Sequence, residues 1–527
     1  MTAADLILIA DRIHTLVPGP QPTAIAVADG RIAAVGERAD VRDWRGPGTQ
    51  VLDLGAATIT PGLVDGHAHP VMGLSMTRGV DLSAVRTRDQ LVQALRGASA
   101  SDGWIEGFGL NPDAFDGAPV THAPLVEALG PDVPVFLVLF DAHSALVSPK
   151  ALEIAGITGP REFASGASVV CDATGTPTGH LLELEAAMVV HAMLPEDPPA
   201  DRRARLHDLM SRMAASGLTA ANAMDFGLDS LELFTALEAD GELPLRWRCA
   251  PFVMPGDGLE TVVEQQRLSG RRWRVEGAKF MIDGTVDGGT AWLEEPDTHG
   301  ESTACFWPDP WEYSAAVEVL AGRGIPIVTH AIGDAGIRFV LDTLSRLPHP
   351  RVPHRIEHLE TLPAELLGRF AELDVTASMQ PTHCTHYTRA DHSDNWSQRL
   401  GDKRADRGFR ARDLRDHGAR LALGSDWPIA HFDPRGIIAA AQLRRPAGDP
   451  DVEPILPDQA LTARMALEGF TTEAAAAAAR SDTGRIAPGC QADLSVFTLD
   501  PLTAPPDEFA ESPVPLTVVA GTITHRG

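Results

Sequence analysis

The chain is short of cysteine and of basic residues, and it lacks a long apolar run and a serine nucleophile elbow. Each shortage excludes something. The five cysteines, Cys171, Cys249, Cys305, Cys384 and Cys490, lie far apart and form no C-x-x-C pair, which excludes a disulfide framework and a thiolate zinc site. Lys and Arg total 44 against 72 Asp and Glu, a formal net charge of −28. Such a surface repels phosphate backbones and anionic lipid, so nucleic acid and membrane are poor partners. It also weighs mildly against a strongly anionic substrate, unless a local cationic pocket overrides the global field. The longest apolar run, Val133 to Phe140 with Pro134 inside it, is too short to span a bilayer. The N-terminus, from Met1, lacks the basic segment and cleavage site of a secretory peptide. A soluble, cytoplasmic protein is expected. No G-x-S-x-G occurs, so nothing suggests a serine nucleophile.

What is present is ordinary globular composition, 44% hydrophobic and 22% charged over 527 residues. Length alone suggests about three or four domains, and one large barrel with attachments fits equally well. The organising stretch is 59–70, Ile-Thr-Pro-Gly-Leu-Val-Asp-Gly-His-Ala-His-Pro. A short apolar run ends in His67 and His69, spaced i, i+2. On an extended segment both imidazoles point the same way, and two neutral imidazoles suit zinc, iron, manganese or nickel.

Residues 5–54 read as short strands (Leu6–Ala10, Ala24–Ala28, Ile32–Val35, Val51–Leu54), and the far C-terminus repeats this in Asp493–Leu499, Leu516–Val519 and Gly521–His525. One small β domain built from both chain ends is expected, covering 1–58 and 485–527. About 75–210 mixes helical and irregular segments, including strand 135–140, a turn at 174–179 and a helix-like Leu181–His191. This reads as an inserted α+β lid. From about 217, short apolar strands alternate with helical stretches such as Ser230–Ala239, Trp311–Ala321 and Ala335–Leu344. The strands are Gly217–Met224, Leu245–Phe252, Val275–Ile282, Ile325–Thr329, Arg355–Glu357, Val375–Met379 and Leu421–Gly424. With the strand before His67 they number eight, which predicts an α/β fold, a (β/α)₈ TIM-type barrel over 59–484. Glu473–Arg480 is expected to be a helix of the outer ring.

In such a barrel, chemistry sits at the C-terminal ends of strands. His330, His358 and Asp426 end three of them, and Lys279 lies within Val-Glu-Gly-Ala-Lys-Phe-Met-Ile-Asp-Gly. His14, His349 and His417 fall outside this pattern and are assigned no function.

The order P-G-L-V-D-x-H-x-H, a strand lysine, two strand-end histidines and G-S-D resembles the amidohydrolase superfamily over nearly the whole chain. Asp141-Ala-His-Ser-Ala-Leu-Val, Lys279-Phe-Met-Ile-Asp-Gly, Ser378-Met-Gln-Pro-Thr-His and Gly424-Ser-Asp-Trp-Pro resemble its YtcJ-like branch, which includes N-substituted formamide deformylases. The resemblance implies a divalent transition metal, zinc first, one or two per chain. The implied ligands are His67, His69, His330, His358 and Asp426, with Lys279 bridging as its carboxylated adduct. Asp426 would double as general base. His143, Glu183, Gln380, His383 and Trp427 are expected to face substrate, with His386 near them. The implied reaction is hydrolysis of a C–N bond in a small molecule. Ester or lactone hydrolysis, deamination, isomerisation and a non-catalytic metal holder remain alternatives, and a homodimer stays open.

Overall fold

The computed structural model describes residues 3–163, 167–195, 197–348 and 352–527. Met1 and His349 lie outside them.

The centre of the fold is a set of parallel strands whose residues are buried on both faces. They are β1 (Leu63–Ala68), β2 (Leu218–Ala223), β3 (Arg246–Cys249), β4 (Trp273–Val275), β5 (Ala278–Met281), β6 (Ile327–Ala331), β7 (His354–His358), β8 (Val375–Met379) and β9 (Leu421–Leu423). One sheet runs β4-β3-β2-β1 and a second runs β5-β6-β7-β8-β9. Helices such as Ser230–Asp240, Pro310–Gly322 and Asp334–Ser345 fall between the strands. The result is an α/β fold, as the alternating pattern predicts. Pro310 opens its helix where a missing N–H costs nothing, and Asp309 caps it by accepting from Trp311 N at 3.0 Å.

The expected strand Val275–Ile282 is interrupted at Glu276-Gly277, giving β4 and β5. Pairing with the β3 side nevertheless continues. Glu276 N–H donates to Cys249 O at 2.8 Å, and Phe252 forms a parallel bridge with Lys279. At the other margin Ala68 forms a parallel bridge with Trp427. Two glycines permit that second approach. A Cβ on Gly66 would stand 2.5 Å from Leu423 O, and one on Gly424 would stand 2.6 Å from His67 N.

The main core fills the space within and around these strands, with Leu63, Leu218, Phe280, Ile327, Ile356 and Leu421 essentially inaccessible. Burying each such side chain fully contributes roughly 1.5–3 kcal/mol. The helix expected over Glu473–Arg480 is shorter, Thr472–Ala477, because the chain turns to positive φ at Ala479 (52°). It packs on β9 and β1.

A five-stranded sheet takes strands from both chain ends: Arg12–Ile13, Thr58–Pro61, Leu494–Phe497, Leu516–Val519 and Thr522–Arg526. It therefore extends to residue 61, past the boundary expected at 58. Beside it lies a four-stranded sheet that is wholly N-terminal, Leu6–Ile9, Ala24–Ala28, Arg31–Gly36 and Gln50–Asp53. Six strands, Val80–Asp81, Ile105–Leu110, Val135–Leu139, Ala145–Val147, Ser168–Cys171 and Pro177–Leu182, form a sheet of their own. There the expected helix Leu181–His191 and turn 174–179 need correction. Pro177–Leu182 is a strand and the helix begins at Leu184. The alternation Pro177, Gly179, Leu181 buries one face, a period-two signal that composition alone conceals.

Candidate metal centre

β1 delivers His67 and His69 to one spot, with their Nε2 atoms 3.3 Å apart. Asp426, just beyond β9, brings Oδ1 to 3.1 Å from His69 Nε2 and 3.4 Å from His67 Nε2. Asp65, in the same motif, fixes this junction. It accepts from His67 N (3.0 Å), Ser425 N (3.0 Å) and Ser425 Oγ (2.6 Å), so the D of the first motif clasps the S of the last. Burial raises the Asp65 carboxyl to about 6.

Three imidazoles are oriented by a partner on one ring nitrogen, which leaves the other as the ligand atom. His67 Nδ1 lies 2.6 Å from Glu357 Oε2, His358 Nδ1 lies 2.9 Å from Gln380 Oε1, and His330 Nε2 lies 3.1 Å from Gly284 O. Burial lowers His67 to about 4 and drives His330 and His358 well below the usual histidine range, so all three are neutral at pH 7, as metal binding requires. Burial pushes the Asp426 carboxyl up, but His67, His69 and His358 outweigh that and hold it well below the usual range, an anion. Burial lowers Lys279 to about 8, and its Nζ lies 3.5 Å from His67 Nε2.

Two ligand groups share the aspartate: His67, His69 and Asp426, and His358, His383 and Asp426, with donor atoms within 4.8 Å of one another in each. His330 falls outside both groups, although its ring centroid is 4.5 Å from that of His358. Buried His69 Nδ1, His383 Nε2 and Asp426 Oδ1 have no hydrogen-bond partner among the described residues. Of these, His383 Nε2 and Asp426 Oδ1 belong to the ligand groups, and together with His67 Nε2 and His69 Nε2 they make a nitrogen and carboxylate donor set that fits a divalent metal. The backbone is strained at the same place, with positive φ at His358 (75°) and Asp426 (59°).

The centre opens into a cavity whose lining also includes Met76, Phe140, Leu184, Tyr387 and Ile429. His143 also lines it, its ring 5.4 Å from that of His330. His143 Nδ1 is held 3.0 Å from Glu183 Oε2, and Glu183 accepts from Thr290 Oγ1 at 2.5 Å. Burial opposes the charged imidazole, but Glu183, Asp141 and Asp426 prevail and raise His143 to about 9. Glu183 sits at φ 65°, ψ 156°, a region normally left to glycine.

Three expected substrate-facing residues are placed differently. Gln380 lies behind His358 and outside the cavity wall. Trp427 turns its ring against Gly73, and Pro428 and Ile429 form the wall instead. Glu183 reaches the cavity only through His143. His383 joins a ligand group as well as lining the cavity, whereas His386 is not among the lining residues.

Sequence reading missed the supports: Asp65, Glu357, Arg355 and Asp283. Asp283 accepts from Ile332 N, Gly333 N and Trp292 N at 2.7–3.0 Å, pinning the turn after His330. Asp65, Glu357 and Asp283 stand within the motifs that carried the ligands, and an acidic residue in an otherwise apolar strand end was the available signal.

His67, His69, His358, His383 and Asp426, gathered at the ends of parallel strands, form a candidate site for a divalent metal. The Amidohydrolase family model matches residues 50–525, and the chain belongs to that family of enzymes. It is 26% identical to the protein of Bacillus subtilis (strain 168) that bears the name "Putative amidohydrolase YtcJ", over 98% of each chain. It is 25% identical to the N-substituted formamide deformylase of Arthrobacter pascens, over 99% of this chain and 98% of that one. Among solved structures it is similar to an uncharacterized metal-dependent hydrolase from Pyrococcus horikoshii OT3, with a TM-score of 0.74, 24% identity, and coverage of 95% and 99% of the two chains. Among the described residues, no helix is long and apolar enough to cross a membrane.

Proposed function

We propose that the protein hydrolyses a C–N bond in an amide-like small molecule, an N-acyl or N-formyl compound, at a centre of one or two zinc ions. The observation that carries this reading is Asp426 shared between two histidine pairs in the wall of a cavity. The deformylase relative supports the bond type. The two parallel sheets are read as the halves of a (β/α)₈ barrel, in keeping with the bridges Phe252–Lys279 and Ala68–Trp427. The sheets from the chain ends are read as a small β domain, and 75–210 as a lid. The protein is read as cytoplasmic.

His67, His69, His330, His358 and Asp426 would hold the metal, with His383 beside them. Lys279 would contribute as a carboxylated bridge. It is one of only three lysines in a chain that otherwise uses arginine. Burial favours the neutral amine that forms the adduct, and a guanidinium cannot form it. A divalent ion held by these residues would supply Lewis-acid polarisation of a carbonyl and lower the pKa of the attacking water. Asp426 accepts that water's proton and passes it to the leaving nitrogen. His143, held by Glu183, borders the cavity on the insertion side and faces the substrate there. The apolar lining excludes bulk water.

The test is metal content by elemental analysis together with turnover on a panel of N-formyl and N-acyl compounds, before and after chelation. Esters, lactones and exocyclic amines in the same panel decide the reaction type. An active, metal-free preparation would overturn the reading.

A further inference from the structure

A second chamber adjoins the catalytic cavity and shares with it Met76, Phe140, Ala142, Tyr387, Pro428 and Ile429. The shared residues form an apolar collar. Beyond it the lining mixes apolar Phe108, Val138 and Leu139 with polar Ser83, Arg86 and Asn111.

Arg86 is half-buried in the loop ahead of the helix Arg88–Arg96. Its Nη1 donates to Ser83 O (2.7 Å) and Val85 O (2.9 Å), which pins the guanidinium to its own loop. Nε and Nη2 have no protein partner among the described residues, and no carboxylate of those residues pairs with it. Arg86 therefore brings to the cavity wall a cation that no carboxylate of the described residues neutralises. Asn111 stands beside it, buried. Its Oδ1 accepts from Asp113 N at 2.8 Å, which leaves the amide N–H groups to donate. Donors therefore line the outer chamber, whereas the inner cavity holds the metal ligands.

We infer that this chamber binds the carboxylate of the substrate, so that the enzyme acts on N-acyl or N-formyl compounds carrying a monoanion beyond an apolar spacer. The inference rests on the hydrolase reading above and names its substrate class. A guanidinium fork matches a carboxylate with two parallel hydrogen bonds. The collar takes the spacer, and the scissile bond lies over the metal centre. The negative surface disfavours more highly charged anions, and Arg86 supplies the local cation that a single carboxylate needs.

The experiment uses the metal-loaded full chain and two probes, the N-formyl derivatives of γ-aminobutyrate and ε-aminocaproate, each compared with its primary amide. Calorimetry reads binding, and steady-state kinetics reads turnover. Wild type is expected to bind at least one carboxylate ~10-fold or more tighter than its amide. Arg86→Met should reduce that ratio to within about threefold, chiefly through KM, while Arg86→Lys keeps part of it. If Arg86→Met fails to fold, Arg86→Gln makes the same comparison. A wild type without preference, or a preference that survives loss of the guanidinium, overturns the inference. Turnover of the neutral amides with no carboxylate preference would leave the hydrolase reading standing. Carboxylate-selective binding without turnover of any panel member would sink that reading and spare the chamber.

Discussion

His67 Nδ1 and Glu357 Oε2 lie 2.6 Å apart, with both side chains fully buried, and so tie β1 to β7 through the metal centre. The contact fixes which imidazole nitrogen faces the metal. Glu357 is fixed in turn by Arg355, whose Nε donates to Oε1 at 2.6 Å and whose Nη2 also reaches Gly66 O at 2.7 Å. One buried chain of charges thus sets both the backbone of the H-x-H motif and the tautomer of its first histidine.

Glu357→Gln should therefore weaken metal binding without removing any ligand. Loss of an orienting partner of this kind typically costs 10–100-fold in affinity, and competition against a chelator would measure it. The same variant leaves Arg355 buried and poorly compensated, which is expected to cost roughly 3–5 kcal/mol of stability in denaturant melts of the metal-free protein. Metal affinity within twofold of wild type would remove Glu357 from the orienting role.

The His143–Glu183 pair carries a pH signature. His143 is raised to about 9, chiefly by Glu183, against about 6.5 when unfolded. A histidine whose folded value lies above its unfolded value stabilises fully below about 6.5, and loses that contribution as pH rises through about 9. Asp141, Asp426 and Glu183 face the ring and favour its charge. Metal-free wild type should exceed Glu183→Gln in stability by most at pH 6 and by least above pH 9. A stability difference that is flat with pH would show the imidazole to be neutral throughout.

Lys279→Ala tests the carboxylated bridge. With two metals bound in wild type, the variant should retain one on His67, His69 and Asp426, as read by elemental analysis. Short carboxylic acids with bicarbonate should return part of the second. Retention of both metals would leave Lys279 as a buried amine beside His67.

The strand-end positions of the candidate ligands were legible in the sequence for a physical reason. An apolar strand fixes where its last residue lies, so His67, His330 and His358 stood out by position, while their reading as ligands came from the resemblance; the structure gathers His67 and His358 around Asp426 and leaves His330 outside both groups. The supports were less legible because their roles depend on partners hundreds of residues away: Asp65 meets Ser425, and Glu357 meets His67. Gln380 and Trp427 follow strand ends in turns, where spacing does not set side-chain direction. One turns behind His358 and the other onto Gly73. The insertion was the least legible part, because Pro177–Leu182 alternates too weakly in composition to declare a strand.

Asp426 separates a catalyst from a mere metal holder. It stands between the two ligand groups, is held as an anion by His67, His69 and His358, and keeps Oδ1 free of any hydrogen-bond partner among the described residues. Asparagine preserves the shape and offers a weak oxygen ligand, but it cannot accept a proton from water. Asp426→Asn should fold and retain at least one metal on the histidines. Its turnover should fall by about 10²–10⁴-fold, the range of a general base, with a smaller change in KM. Kinetics and metal content are to be read on the same preparation, so that loss of metal is not mistaken for loss of the base. Near-normal turnover at full metal content would remove Asp426 from proton transfer and, with it, the route by which the leaving nitrogen acquires its proton.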